Sequence, residues 1–287
     1  MAVAVYLIVA FSFSWAIALL LHQAGGFAGA GAGTTLYLLA FMFGPAVGAL
    51  VAAGLFDRSR FLAALSLRPW RWRPVIVWTL IGWSVAVGLC VAGLAATLAV
   101  SGAAPADAAA RLVETAQAAG VAELPLSPEA LLMLTLLVNV PIGIVINTVL
   151  ITANEELGWR GWLQPRLAGL GFWPSAIVIG LIWGVWHAPI ILMGHNYPGM
   201  GWIGVALMCA FTTGLTPYIA LMRERSGHVV PAGAFHGALN AVAGVTLLFA
   251  PDPSWPHNGL LGAAGLAVLY LGWIGVALYR KQIPRAA

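Results

Sequence analysis

Long apolar stretches separated by short polar ones dominate the sequence. Eight can be marked, at residues 3–21, 34–55, 75–100, 131–153, 175–194, 201–222, 229–249 and 259–279. Each is close to the ~20 residues that an α-helix needs to cross the hydrocarbon core of a bilayer. The pattern therefore predicts an all-α polytopic membrane protein with eight transmembrane helices. No long polar linker divides the stretches, so residues 1–287 are predicted to form a single transmembrane domain.

Composition and charge support this class and orient the chain. Hydrophobic residues make up 61% and charged residues only 8%, whereas soluble domains carry roughly 25% charged residues. If both termini are cytoplasmic, all thirteen Lys and Arg residues except Arg111 fall in cytoplasmic loops or in a tail that includes Arg285. This asymmetry follows the positive-inside rule and predicts cytoplasmic termini. The basic charge therefore indicates topology and contact with the lipid bilayer, not nucleic-acid binding.

Residues 101–130 interrupt the apolar pattern with a run of acidic residues, Asp107, Glu114, Glu123 and Glu129. They are predicted to form an extracytoplasmic connector. The second apolar stretch contains Gly44-Pro45, which predicts a kink because proline lacks the backbone N–H of a continuous helix. Of the histidines, His22, His195 and His257 fall in predicted outside loops and His228 at the inner end of a span, where solvated roles are expected.

Two adjacent carboxylates, Glu155 and Glu156, stand at the end of the fourth apolar stretch. Ionisable residues at membrane depth are costly and mark functional sites. Residues four apart share a helix face, so Glu156 is predicted to pair with Arg160 while Glu155 points about 100° away and stays free. Thr148 and Thr152 continue the same stripe, which must face other helices or a wet cavity.

Two more polar pairs occur in later spans. Trp183 and His187 lie four apart in the fifth, and His236 and Asn240 lie four apart in the seventh. A His with an Asn one turn later offers two donors in one direction, as an oxyanion requires. Taken alone, each His could simply bond a neighbouring helix. Three such elements in a chain with so few charges favour one shared site.

Hydrolysis of an amide bond suits these residue types. Two carboxylates side by side in a low dielectric disfavour double ionisation, which suits one of them to take and return protons. The sequence has no His-Glu-x-x-His motif, no Gly-x-Ser-x-Gly motif, no Asp within a span, and its one Lys is Lys281. One difficulty is depth: His187 lies further from the inner end of its span than the glutamates do. Either the fourth span continues as a helix past Glu155, or the fifth begins deeper or tilts.

The ordered set Glu155-Glu156-x-x-x-Arg160, Trp183-x-x-x-His187 and His236-x-x-x-Asn240 resembles the type II CAAX prenyl endopeptidase and bacteriocin-processing family of intramembrane proteases. The resemblance covers residues of about 131–250. It implies an eight-helix core with a polar cavity open to the cytosol and the membrane, and cleavage of a peptide bond near the cytosolic face.

By motif position, the resemblance implies that Glu155 and His187 activate water, that His236 and Asn240 stabilise the oxyanion, and that Glu156 and Arg160 support the site. Trp183 would contact substrate; the family often has Phe there. Glu155, His187 and His236 could in principle bind zinc, so metal dependence, and with it a metalloprotease-like mechanism, stays open.

Two other classes remain as alternatives: a proton-coupled membrane transporter using Glu155 and the histidines as a relay, and a catalytically idle immunity or scaffold protein. The lack of an internal repeat counts against a transporter built from inverted repeats. The composition, in which Arg outnumbers Lys and Ala and Gly are abundant, indicates a bacterial cytoplasmic membrane, where the expected substrates are peptides or membrane proteins.

Overall fold

A computed structural model describes residues 1–118, 120–121 and 125–282. These residues form helices and connecting turns, with no β-strand among them. Residues 119 and 122–124 of the predicted connector, which include Glu123, lie outside the described residues, as does Arg285 of the predicted cytoplasmic tail.

The bundle consists of α1 (Ala2–Gln23), α2 (Gly31–Phe56), α3 (Trp72–Ser101), α4 (Pro128–Leu170), α5 (Phe172–Trp186), α6 (Gly201–Ser226), α7 (Val230–Leu247) and α8 (Ala263–Gln282). Within the described part of the chain, seven of these helices are long and apolar enough to cross a membrane. The exception is α5, which is apolar but has 15 residues and is followed, after His187, by Ala188–Leu192. Shorter helices lie in the connecting segments, at Gly26–Gly29, Arg58–Arg60, Phe61–Ala64, Ala108–Ala118 and Gly259–Leu261.

The kink predicted in the second span is confirmed. Helix α2 is interrupted at Phe43 between Thr34–Met42 and Gly44–Phe56. Pro45 stands at the start of the second half, where its missing N–H is tolerated.

The fourth span is longer than predicted. The apolar pattern ends at residue 153, yet α4 runs on to Leu170. Between Thr152 and Leu163 it is a π-helix, a widened form that is frequent at functional sites. Hydropathy marks this stretch as a loop because it contains Glu and Arg, but those charges pair inside the protein. The depth difficulty is thereby resolved, since α4 continues as a helix past Glu155.

Glycines allow the helices that carry polar residues to cross closely. On α7, a Cβ at Gly237 would lie 2.5 Å from the backbone nitrogen of Thr148 in α4. On α5, a Cβ at Gly180 would lie 2.5 Å from the Cα of Thr213 in α6. Small residues at such crossings let helix backbones approach in a membrane protein. These contacts fix α7 against α4 and α5 against α6.

The two ends of the bundle differ. The Arg-rich end comprises residues 57–71, Gly171 and 227–229, together with the start of α1 and the end of α8. The opposite end comprises residues 24–30, 102–118, 120–121, 125–127, 193–200 and 248–262. At the Arg-rich end, Ser66 Oγ donates to the Gly161 carbonyl at 2.8 Å and accepts from Arg223 Nη2 at 2.7 Å. The backbone N–H of Val229 also donates to the Ser66 carbonyl at 3.1 Å. These bonds tie the loops of this end to α4, α6 and α7.

Candidate active site

Glu156 is the central charge of a buried cluster. Its Oε1 accepts a hydrogen bond from Arg160 Nη1 at 2.9 Å and lies 2.8 Å from His236 Nδ1. The side chains of Glu156 and Arg160 are fully buried and that of His236 is 5% exposed. The predicted pairing of Glu156 with Arg160 is confirmed, and the same carboxylate also joins α4 to α7.

Arg160 makes two further contacts inside the bundle. Its Nη2 donates to Thr216 Oγ1 of α6 at 3.1 Å, and its guanidinium lies 4.6 Å from the centre of the Trp183 ring. A cation over an indole face is attracted by the ring's electron density. The charge distribution along the sequence also predicted that Arg160 lies in a cytoplasmic loop. That prediction is wrong, because Arg160 lies within α4 and is fully buried.

Glu155 is less free than the sequence predicted. It makes no ion pair with Arg160, but its Oε2 accepts a hydrogen bond from Trp183 Nε1 at 2.8 Å. Trp183 is 2% exposed, and its ring lies edge-on to His236 with centroids 4.9 Å apart. The indole therefore holds one carboxylate oxygen in place, beside the ring of His236.

His187 lies at the break between α5 and Ala188–Leu192. Pro189, two residues later, has no backbone N–H, which ends α5 at this point. The Nδ1 of His187 is 2.8 Å from the carbonyl oxygen of Trp183. Because a carbonyl can only accept, Nδ1 carries the proton and Nε2 is left as an acceptor in the neutral ring.

These residues meet at one cavity of about 340 Å³. Glu155, Trp183, His187, His236 and Asn240 all line it. The structure thus brings together the three polar elements that the sequence singled out, from α4, α5 and α7. Asn240 is exposed, whereas Glu155 and His236 are 3% and 4% exposed. The cavity is therefore deep at the carboxylate and open at Asn240.

The sequence missed several residues of the cavity wall. His195, Asn196 and Asn258 come from connecting segments at the opposite end and also line it. His195 is half-buried with its ring stacked on Phe27, centroids 5.8 Å apart, and burial lowers its pKa. A solvated role for His195 stays a prediction, whereas the solvated role predicted for His228 is wrong, because that side chain is 2% exposed. Only the folding of these segments over the helices puts them there, and no local pattern indicates it.

A zinc site is unsupported. No group of three or more His, Cys, Asp and Glu residues within the described ranges is placed to hold a metal ion. The candidate ligands have other partners: His236 Nδ1 bonds Glu156, His187 Nδ1 bonds a carbonyl, and one oxygen of Glu155 bonds Trp183. The metalloprotease-like class left open by the sequence is likewise without support.

Every residue of the three motifs lies between 130 and 242. That range matches a family model described as Type II CAAX prenyl endopeptidase Rce1-like. This segment is similar to the Rce1-like family. The match confirms the resemblance drawn from the motifs, and it extends from the start of α4 into α7. Helices α1 to α3 and α8 lie outside the Rce1-like segment. No curated protein matches the chain.

Proposed function

We propose that the protein is an intramembrane endopeptidase in which Glu155 and His187 activate water for attack on a peptide bond. The Rce1-like match supports an intramembrane CAAX-type protease in general. The observation that carries the finer proposal is that Glu155, His187 and His236, from three separate helices, line one cavity of about 340 Å³. Cavities of this size accept a few side chains of a peptide.

The hydrogen bonds around Glu155 and His187 suit them to hold a water molecule. Trp183 fixes Oε2 of Glu155, which leaves Oε1 to accept a water proton. The Trp183 carbonyl fixes His187 Nδ1, which leaves Nε2 as a second acceptor. Two acceptors oriented by one residue would hold the water and take its proton as its oxygen attacks the carbonyl carbon.

His236 and Asn240 are proposed to stabilise the oxyanion of the tetrahedral intermediate. Because Glu156 accepts from His236 Nδ1, the Nε2 of His236 can donate only when the ring is protonated. Arg160 holds Glu156, and Glu156 in turn holds the His236 ring through Nδ1. We propose that Glu156 and Arg160 support the site in this way, by keeping the His236 ring in one orientation.

The reaction then balances without another reactant. Water supplies hydroxide to the carbonyl carbon and a proton to Glu155. The C–N bond breaks as that proton passes to the leaving nitrogen, giving a carboxylic acid and an amine. Trp183, which lines the cavity beside these groups, would contact the substrate next to the scissile bond.

We further propose that α5 and Ala188–Leu192 together form an eighth span, giving a single domain with both termini in the cytoplasm. Residues 172–192 would reach about 30 Å at 1.5 Å per residue, the thickness of a hydrocarbon core. The Lys and Arg distribution supports this orientation. Residues 101–130 would then be extracytoplasmic and the protein would lie in a bacterial cytoplasmic membrane.

The test is hydrolysis by the full-length protein in proteoliposomes, with a library of internally quenched peptides. Glu155→Gln is expected to lower the cleavage rate by at least ~10²-fold, because glutamine can still accept from Trp183 but cannot take a proton. Glu129→Gln, the same change at an exposed position of α4, is the control. Equal cleavage by Glu155→Gln and the native protein would overturn the proposal, as would peptide-stimulated proton flux with no cleavage.

A further inference from the structure

The cavity extends away from the Arg-rich end, and from this we infer that the substrate is an apolar polypeptide segment that reaches Glu155 from the extracytoplasmic side. The inference rests on the proposed function and specifies its substrate class. It differs from the cytosolic access that the family resemblance implies.

The walls of the cavity lead toward the opposite end of the bundle. Beyond His187, they are formed by His195 and Asn196 of residues 193–200 and by Asn258 and Leu260 of residues 248–262. On α7 the lining continues from His236 through Asn240 and Gly244 to Leu247, the last residue of that helix. Asn240 and Gly244 are exposed. The cavity therefore runs from the buried carboxylate to the segments of the opposite end.

A packed layer closes the route from the Arg-rich end. Trp159, Trp162 and Leu163 follow Glu155 on α4 and are fully buried, and Leu65 is 1% exposed. Tyr6 of α1 stacks on Trp162 with ring centroids 4.9 Å apart. No described residue of 57–71, 171 or 227–229 lines the cavity. A peptide arriving from that end would have to displace this layer.

The distribution of charge identifies the sides of the membrane. Four acidic residues belong to the opposite end and its helix starts: Asp107, Glu114, Glu129 and Asp252. The Arg-rich end carries Arg58, Arg60, Arg68 and Arg71 in one loop, and Arg73 follows in the first turn of α3. Short loops rich in Lys and Arg remain in the cytoplasm. The mouth of the cavity therefore faces the extracytoplasmic side or the outer leaflet.

The lining also defines the chemistry of the occupant. Apart from Glu155 and the histidines, no charged side chain of the described chain lines the cavity. Its walls include Leu38, Phe41, Met42, Met208 and Phe211. Burying a charged side chain against such walls is unfavourable, whereas each buried apolar side chain contributes binding energy. The site therefore suits apolar residues on both sides of the scissile bond.

Sided labelling of single cysteines tests the access route. In a chain whose two free cysteines, Cys90 and Cys209, are replaced by alanine, Ala243→Cys places a thiol on the cavity wall of α7. Ala241→Cys is the matched control, because Ala241 faces α4 rather than the cavity. Trp70→Cys, at a residue 60% exposed in the Arg-rich loop, reports the cytoplasmic side. The probe is a membrane-impermeant maleimide, applied to right-side-out and to inverted membrane vesicles.

We expect Ala243→Cys to react at least ten times faster in right-side-out vesicles, Trp70→Cys to show the reverse, and Ala241→Cys to react in neither. Labelled Ala243→Cys should also lose peptide cleavage. Faster reaction of Ala243→Cys in inverted vesicles, or none in either, would overturn the inference. The labelling needs no catalysis, so it is separable from the proposed function. A different result would separate the two proposals. If the cysteines are labelled as expected but no peptide cleavage depends on Glu155, the proposed function is overturned and only the access route stands.

Discussion

Replacing Glu156 by glutamine tests the central contact of the site most directly. Glu156→Gln keeps the shape of the side chain and removes the negative charge that Arg160 and His236 share. Arg160 would then be a fully buried cation that keeps its contacts with Thr216 and the face of Trp183 and the longer-range attraction of the Glu155 carboxylate. These interactions do not replace a direct ion pair, so the folded state should be strongly destabilised.

The separation of the two groups sets the magnitude. Unit charges 2.9 Å apart attract by about 6 kcal/mol at an effective dielectric of 20. Removing one partner of a buried ion pair typically costs ~3–5 kcal/mol, since the other charge stays buried without compensation. We therefore expect Glu156→Gln to lower the free energy of unfolding by ~3–5 kcal/mol.

The assay is equilibrium unfolding in mixed detergent micelles, with a double variant as the deciding measurement. Glu156→Gln combined with Arg160→Met removes both charges and should recover most of the stability, because a neutral pair of similar volume needs no compensation. Peptide hydrolysis should be lost in Glu156→Gln and also in the double variant, because in both His236 lacks the Glu156 carboxylate. As a control, Glu224→Gln breaks the partly exposed pair with Arg280 and should cost at most ~1 kcal/mol. A cost below ~1 kcal/mol for Glu156→Gln, or no recovery in the double variant, would refute this reasoning.

Two further outcomes concern the bundle and its Arg-rich end. Gly237→Ala should lower the unfolding free energy by ~1–3 kcal/mol, because its Cβ would lie 2.5 Å from the backbone of Thr148; Gly88→Ala, which meets no atom within 4 Å, should be tolerated in the same unfolding assay. Burial lowers the pKa of His228, whose Nε2 bonds the Leu67 carbonyl at 3.2 Å. The folded state therefore favours the neutral ring, so stability should be full above pH ~6.5 and fall at lower pH. A stability titration in which His228→Gln shows the same slope as the native chain would contradict this.

The sequence determined those features that depend on neighbours along the chain. Apolar length indicated the helices, because a spanning helix needs about 20 apolar residues whatever surrounds it. The spacing of four predicted the pairing of Glu156 with Arg160, because that contact lies within one helix. The same local spacing supplied the three motifs on which the family resemblance depended.

Local pattern failed where charge was paired inside the fold. Hydropathy ended the fourth span at residue 153, since it counts Glu156 and Arg160 as polar wherever they lie. The structure continues α4 through them because they satisfy each other and His236. Hydropathy along one sequence does not record whether two charges pair in the fold. The predicted fourth span was therefore too short, and Arg160 was assigned to a loop.

Only the tertiary structure decided which groups meet across helices. The bond from Trp183 to Glu155 joins residues 28 apart in sequence, and that from His236 to Glu156 joins residues 80 apart. His195 and Asn258 reach the cavity from loops without any distinguishing pattern. These contacts depend on how closely α4, α5, α6 and α7 cross, which is set by packing at their glycines. Packing between segments that are distant in sequence cannot be read from the periodicity of a single chain, because periodicity reports only on neighbours along that chain.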